Sequence, residues 1–288
     1  MACRPNQWSK NLIVFLAPLF SFSFESQIWI AAIKSFIAFC MVSSSIYLVN
    51  DSIDKKNDKK HPKKKNRIIA SGKISIGDAI TLSLALSIIS FLISFYLNIY
   101  LGFIILLYYI IQISYCFYLK NIPIIEFFCI AIGFIIRSIA GGVASTTIIS
   151  YWFILSIALL SLYLAIEKRK AEIINTRNSK LITRKVLKSY SLSIMNKFET
   201  IFTSCLVMTY SLWSYGPMIG GSKSQWMMIT IPLVLLGILR YQMLSDNLSN
   251  SKDYNFLENP EKVIFIDKPI QIIVLSWLFS TMFIGFFT

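Results

Sequence analysis

The chain has 288 residues, 56% of them hydrophobic and 15% charged, with a mean hydropathy of +0.64 and a formal net charge of +14. Its apolar residues come in long blocks instead of amphipathic stripes, which excludes an ordinary soluble domain and reads as a polytopic membrane protein. The basic excess sits in loops, where positive-inside topology and contact with anionic lipid account for it, so nucleic-acid binding is not expected.

The N-terminal residues Arg4-Pro5-Asn6-Gln7-Trp8-Ser9-Lys10-Asn11 gather donors around an aromatic ring, as an interfacial anchor or a lid over an anionic head group would. Met1 to Lys10 lacks the ordered regions of a cleavable signal peptide, so the first span is expected to serve as the insertion signal. Apolar runs follow at 11 to 25, 28 to 49, 78 to 97, 99 to 119, 123 to 144, 149 to 167, 190 to 216, 226 to 244 and 270 to 288. They predict an all-α bundle of about nine transmembrane helices, a single domain over 1–288 with polar loops at 50–77 and 168–189. The first run is short and contains Pro18, so eight spans plus a re-entrant segment is the alternative.

Counting loops alternately, one side receives Arg4, Lys10, the cluster at 55–73, Lys120, the cluster from Lys168 to Lys188, and Lys252, Lys262 and Lys268. The other side receives chiefly Lys34 and Lys223. This asymmetry predicts that the N-terminus and both polar loops are cytoplasmic, in an inner membrane.

Where the second run ends, the chain reads Asn50-Asp51-Ser-Ile-Asp54-Lys-Lys-Asn-Asp58, then His61-Pro62-Lys63-Lys64-Lys65-Asn66-Arg67. If the helix continues past residue 50, Asn50, Asp51, Asp54 and Asp58 share one face. Such a face suits magnesium, which is commonly held by one or two carboxylates together with substrate phosphates. The simpler alternative is a solvated Asp/Lys loop whose charges neutralise one another. After the fourth run, Tyr115 and Lys120 precede Asn121-Ile122-Pro123, and Lys120 is the only charge in that loop. It is either an interfacial anchor or a third contributor to a phosphate site.

Arg137 lies deep in the fifth run, within Gly133-Phe134-Ile135-Ile136-Arg137-Ser138-Ile139-Ala140-Gly141-Gly142, and a charge at that depth must face a polar cavity or a partner. After the sixth run comes Glu167-Lys168-Arg169-Lys170-Ala171-Glu172, in which Lys168 and Glu172 are i, i+4 neighbours on a helix. Arg240-Tyr241 suits either a site or an interfacial anchor, and Asp267-Lys268-Pro269 reads as a helix start. The five cysteines show no metal-binding spacing and read as small apolar residues.

These pieces, in this order, resemble the UbiA-type superfamily of intramembrane prenyltransferases, and within it the polyprenyl-phosphate phosphoribosyltransferase branch. The resemblance runs through Arg4-Pro5-x-Gln7-Trp8-x-Lys10-Asn11, Asn50-Asp51-x-x-Asp54-x-x-x-Asp58, His61-Pro62 to Arg67, Tyr115 to Lys120, Gly133-Phe134 with Arg137, Lys168-Arg169-x-x-Glu172, Arg240-Tyr241 and Asp267. The Asp motif is specific to the superfamily. Lys168-Arg169-x-x-Glu172 marks the branch, because users of prenyl diphosphates typically carry a second Asp-rich motif there.

The resemblance implies a helix-bundle transferase that moves a phosphoribosyl group from phosphoribosyl diphosphate to a polyprenyl phosphate, with magnesium as cofactor, in a cell-wall precursor route. It implies Asp51, Asp54 and Asp58 as metal and diphosphate ligands and Lys120 and Lys168 as further catalytic residues. Lys10, Asn50, His61, Lys63, Arg67, Tyr115, Arg137, Arg169, Glu172 and Arg240 would bind substrate. Ile68, Glu126 and Glu167 depart from the family pattern, the last by adding a carboxylate beside Lys168. The nearest rival is prenyl transfer from a prenyl diphosphate. A transporter of anionic lipid heads is a third reading, and no internal repeat supports it. Oligomeric state is left open.

Overall fold

No Gly or Pro interrupts residues 26–60, so nothing in the sequence stops a helix that begins in the apolar run from continuing through the Asp face. In the computed structural model, which describes residues 2–22, 25–60, 64–179, 185–249, 263 and 266–287, it does continue, as a single 35-residue helix. Among the described residues there are nine α-helices: α1 Leu16–Phe20, α2 Ser26–Lys60, α3 Ile76–Leu97, α4 Ile99–Phe117, α5 Ile125–Ser145, α6 Tyr151–Ser179, α7 Leu192–Ser214, α8 Ile231–Ser249 and α9 Lys268–Phe287. Among the described residues, seven helical segments are long and apolar enough to cross a membrane, as a multi-pass protein requires.

Two expected spans take a different form. The run 11–25 becomes a 3-10 segment, Pro5–Phe15, leading into the five-residue α1. Short prolyl-interrupted sequence with buried Asn11 does not make a long regular helix here. The run 190–216 is realised as α7, yet α7 is not one of the seven, since Asn196, Lys197 and Glu199 occupy its first half.

By internal contacts the chain divides into two compact units, Met1–Ile148 and Ile149–Thr288. In the first, α3 is built inside out. Its buried residues, Ala79, Ser83, Ser87, Ser90 and Ser94, fall within about 80° of one another around the helix, while Ile80, Leu84, Ile88 and Leu92 are exposed. Small side chains let α3 lie close against α2. Ser83 donates to the Ser45 carbonyl at 3.0 Å and Ser90 to the Ala38 carbonyl at 2.8 Å. Ser75 caps α3 by accepting from the Asp78 amide at 3.1 Å.

The N-terminal 3-10 segment packs on α2 and α5. Its hold is polar at Asn11, which is fully buried and donates to Ser43 Oγ at 3.2 Å. Its contact with α5 leaves no room at Gly141, where an added Cβ would come within 2.1 Å of the Val14 carbonyl oxygen.

In the second unit α6 packs along α7, and α8 along α9. Ser191 caps α7 by accepting from the Ile194 amide at 3.2 Å. Tyr210 of α7 accepts from Trp277 Nε1 of α9 at 2.6 Å and shares a hydroxyl contact of 2.6 Å with Thr230. Asp267 accepts from the Ile270 amide at 2.9 Å, which is the helix start expected from Asp267-Lys268-Pro269.

Gly141→Ala is expected to destabilise the protein by about 1–3 kcal/mol, the usual cost of overpacking against atoms that cannot rotate away. Gly77→Ala, whose Cβ would meet nothing nearer than Ser75 Oγ at 3.6 Å, is expected to be neutral or slightly stabilising. Thermal unfolding of the two variants in detergent checks the contrast; equal midpoints would refute the close approach at Gly141.

Candidate active site

On α2, Asn50, Asp51, Asp54 and Asp58 lie within an arc of about 100°, so the face expected from their spacing forms. Asp51 and Asp58 are buried and Asp54 half-buried. A buried carboxylate needs a countercharge, and each of the three has one drawn from another segment. Arg4 grips Asp51 as a fork, with Nε 3.0 Å from Oδ2 and Nη2 on Oδ1. Arg67 Nη1 bridges two carboxylates, at 3.1 Å from Asp51 Oδ1 and 2.6 Å from Asp58 Oδ2. Lys120 donates to Asp54 Oδ1 at 2.8 Å and to Asn50 Oδ1 at 3.3 Å. Three carboxylates and three cations thus form one balanced cluster within the first unit.

A cavity of about 200 Å³ opens at this cluster, lined by Arg4, Asp51, Asn66 and Arg67 and by apolar Ala2, Ile68 and Ile69. Its polar lining offers both signs of charge, as a site for a polyanion carried with a cation needs. Among the described residues no three acidic, His or Cys side chains are close enough to enclose a metal ion unaided. Oxygen donors alone, spread along one helix face, fit magnesium that arrives with phosphates and keeps part of its water; they do not fit a preformed cage.

The other expected residues divide into three groups. Arg137 is fully committed inside the bundle: Nε donates to Asn11 Oδ1 at 2.7 Å, Nη1 to the Gly133 carbonyl at 2.8 Å, and Nη2 to Tyr108 Oη at 2.6 Å. Its guanidinium also stands 4.7 Å from the Tyr108 ring centroid. These contacts join the N-terminal segment, α4 and α5, and none of them is to the Asp face. Lys10 and Tyr115 are half-buried, on the 3-10 segment and on α4. His61 and Lys63 lie outside the described residues.

The remaining residues belong to the second unit. α6 runs on past its apolar stretch, so Lys168, Arg169 and Glu172 are helical as expected. Arg169 is buried and donates to Glu172 Oε2 at 2.8 Å. Arg240 forks onto Asp267, with Nη2 to Oδ2 at 2.8 Å and Nε to Oδ1 at 3.3 Å. The Arg240 guanidinium, helped by the Ile270 amide, holds the Asp267 carboxyl below the usual carboxylate range against the opposing push of partial burial.

Sequence reasoning left out two residues that the structure brings into play. Arg4 was part of a noted segment, but nothing local tells that its partner is Asp51, 47 positions away. Glu199 lies inside an expected span, where an ionisable side chain is itself a signal.

The model of the UbiA prenyltransferase family matches residues 12–266. The decaprenyl-phosphate phosphoribosyltransferase of Corynebacterium glutamicum is 34% identical over 284 residues, covering 96% of this chain and 83% of its own length. The enzyme of the same name from Mycolicibacterium smegmatis is 32% identical over 289 residues, with 96% and 89% covered. Among solved structures, a UbiA homolog from Archaeoglobus fulgidus bound to GPP and Mg2+ has a TM-score of 0.73 at 15% identity, covering 100% of this chain and 98% of that one, which is a likeness of fold.

Replacing Arg67 with Met is expected to cost about 1–3 kcal/mol, because Asp51 and Asp58, with side chains 8% and 6% exposed, lose the cation they share. Lys120→Met is expected to cost less, since Asp54 is 26% exposed and water takes over part of the role. Unfolding of both variants across a salt series measures the difference; a larger loss for Lys120→Met would contradict the cluster as described.

Proposed function

The chain belongs to the UbiA prenyltransferase family, and on that premise we propose that it transfers a 5-phosphoribosyl group from phosphoribosyl diphosphate to a polyprenyl phosphate, releasing pyrophosphate. The observation that carries this reading is the charge-balanced Asp face on α2; the resemblance adds Lys168 and Arg169, which stand where prenyl-diphosphate users typically carry a second Asp-rich motif. A site made of carboxylates alone would repel a second phosphate substrate. One that supplies metal-holding oxygens and fixed cations accommodates two.

Asp51, Asp54 and Asp58 would hold magnesium, which when bound neutralises charge on the leaving diphosphate. Arg4, Arg67 and Lys120 already stand against those carboxylates. The same cations would remain as partners for diphosphate oxygens when the carboxylates hold magnesium. The bond from the anomeric carbon to the diphosphate oxygen breaks, and a bond from that carbon to a lipid phosphate oxygen forms. Positive charge develops on the sugar as the diphosphate leaves, so an already anionic acceptor needs no strong base. By the family resemblance, Lys120 would compensate phosphate charge, Asn50 and Lys10 would bind substrate, and Lys168, Arg169 and Glu172 would grip the donor's phosphoribosyl part or the acceptor phosphate, so that positioning and electrostatics carry the rate. The positive-inside rule applied to the cation-rich loops supports putting this chemistry at the cytoplasmic face of an inner membrane, with the acceptor's tail in lipid.

Prenyl transfer is the second reading, favoured by the GPP bound to the Archaeoglobus fulgidus homolog. The purified protein is expected to convert labelled phosphoribosyl diphosphate and a polyprenyl phosphate into labelled lipid in the presence of magnesium, and to stop on chelation. Asp51→Ala and Asp54→Ala are expected to lose at least about a hundredfold in rate. Consumption of a prenyl diphosphate with no labelled lipid would overturn phosphoribosyl transfer in favour of the second reading, and full turnover by both Asp variants would remove the metal assignment.

A further inference from the structure

α6 carries two sets of charged residues on different sides. Lys168 and Glu172 are separated by about 40° around the helix, Glu167 and Lys170 by about 60°, and the two pairs are centred about 150° apart. The second pair faces inward, with Glu167 fully buried and Lys170 nearly so, where the apolar stretch of the helix ends. Lys170 Nζ lies 3.1 Å from Glu167 Oε1 and donates to Glu199 Oε2 of α7 at 2.5 Å. The other oxygen of Glu199 accepts from Gln242 Nε2 of α8 at 2.9 Å. Glu199 is therefore the knot of a three-helix junction: one carboxylate, with both oxygens taken, each by a different neighbouring helix.

Such a junction is a poor source of stability. Burying two carboxylates and one ammonium costs more than an apolar contact of equal volume, and its use is in fixing one arrangement against others. The arrangement at stake is the rotation of α6 about its axis. Apolar side chains tolerate a helix turning by a fraction of a residue; a Lys held by two carboxylates does not. Fixing the back of α6 fixes the aim of Lys168 and Glu172 on its far side.

We propose that Glu199 is a positioning residue, acting through Lys170 to set the orientation of the α6 face that carries Lys168 and Glu172. The proposal rests on the reading that this face handles a substrate phosphate. Glu199→Ala removes both hydrogen bonds. Glu199→Gln keeps an oxygen for Lys170 and leaves Glu167 as its countercharge, giving a neutral pair that is gentler on folding.

The test is a cycle on the full-length protein: wild type, Glu199→Ala, Glu199→Gln, Lys168→Ala and the double variant Lys168→Ala/Glu199→Ala, each assayed for transfer across donor concentrations. Glu199→Ala is expected to lower kcat/KM by roughly tenfold or more, with Glu199→Gln within about threefold of wild type. In the Lys168→Ala background the same Ala change is expected to cost less than about twofold, because its route of action is already gone. An equal fold-loss in both backgrounds, no loss in either, or a Gln variant as impaired as the Ala variant would overturn the proposal. A wild-type protein that forms no labelled lipid overturns the phosphoribosyl reading instead. Hydrogen exchange over residues 164–174 then decides the positioning role: faster exchange in the Ala variant but not in the Gln variant supports it, and unchanged exchange refutes it.

Discussion

Asp51 is the charge on which the first unit turns. It is buried at the end of an apolar helix, and it is answered by two guanidiniums, Arg4 from 47 residues upstream and Arg67 from 16 residues downstream. A carboxylate in that position cannot stay ionised alone, so the chain on both sides must come back to it. Arg4 does so at a backbone cost, with φ of 47°, in a region that non-glycine residues rarely enter. The forked pairing with Asp51 and the ring of Tyr47, 5.2 Å from the guanidinium, offset that cost. The N-terminal segment, the Asp face and the loop after it are thus one electrostatic object, and the cavity beside Asp51 is what remains between its parts.

Local patterns carried the reading of the helices a long way. The continuation of α2 through Asp58 and of α6 through Glu172 followed from the absence of breakers and from i, i+4 spacing, both of which are properties of neighbouring residues. Partner choice was not legible, because it is settled by residues far apart in sequence. That Lys120 would meet Asp54, 66 positions away, is invisible to any window along the chain. Arg137 shows the limit most clearly: depth in a span correctly demanded partners, but depth does not say which, and the partners are the neutral oxygens of Asn11, Gly133 and Tyr108. The same rule applied to Glu199 would have singled it out, yet a single carboxylate is easily lost in a 27-residue apolar stretch such as 190–216.

Both units join their segments with neutral hydrogen bonds as well as with ion pairs. In the first, polar groups are used to bring helices close: serines on α3 against the α2 backbone, Asn11 between α2 and α5. Those serines are buried, so a hydroxyl that finds a carbonyl there is held by the cost of leaving it unpaired more than by intrinsic strength. In the second, neutral bonds at Tyr210 with Trp277 and at Ser156 with Thr209 stand beside ion pairs at Lys170 with Glu199 and at Arg240 with Asp267. Ion pairs fix direction as well as distance, which suits a unit whose charged face has to be aimed.

α2 also acts as a rigid gauge of depth. At about 1.5 Å per residue, Asp51 stands about 38 Å and Asp58 about 48 Å along the axis from the polar residues Ser26 and Gln27 where the helix begins. A hydrocarbon layer takes up only about 30 Å of that length. The helix is therefore long enough to carry its carboxylates beyond an apolar layer of that thickness, with no Gly or Pro between its start and Asp58. One unbroken helix thus ties the spacing of the three carboxylates to the span that carries them, so a displacement of either is a displacement of both.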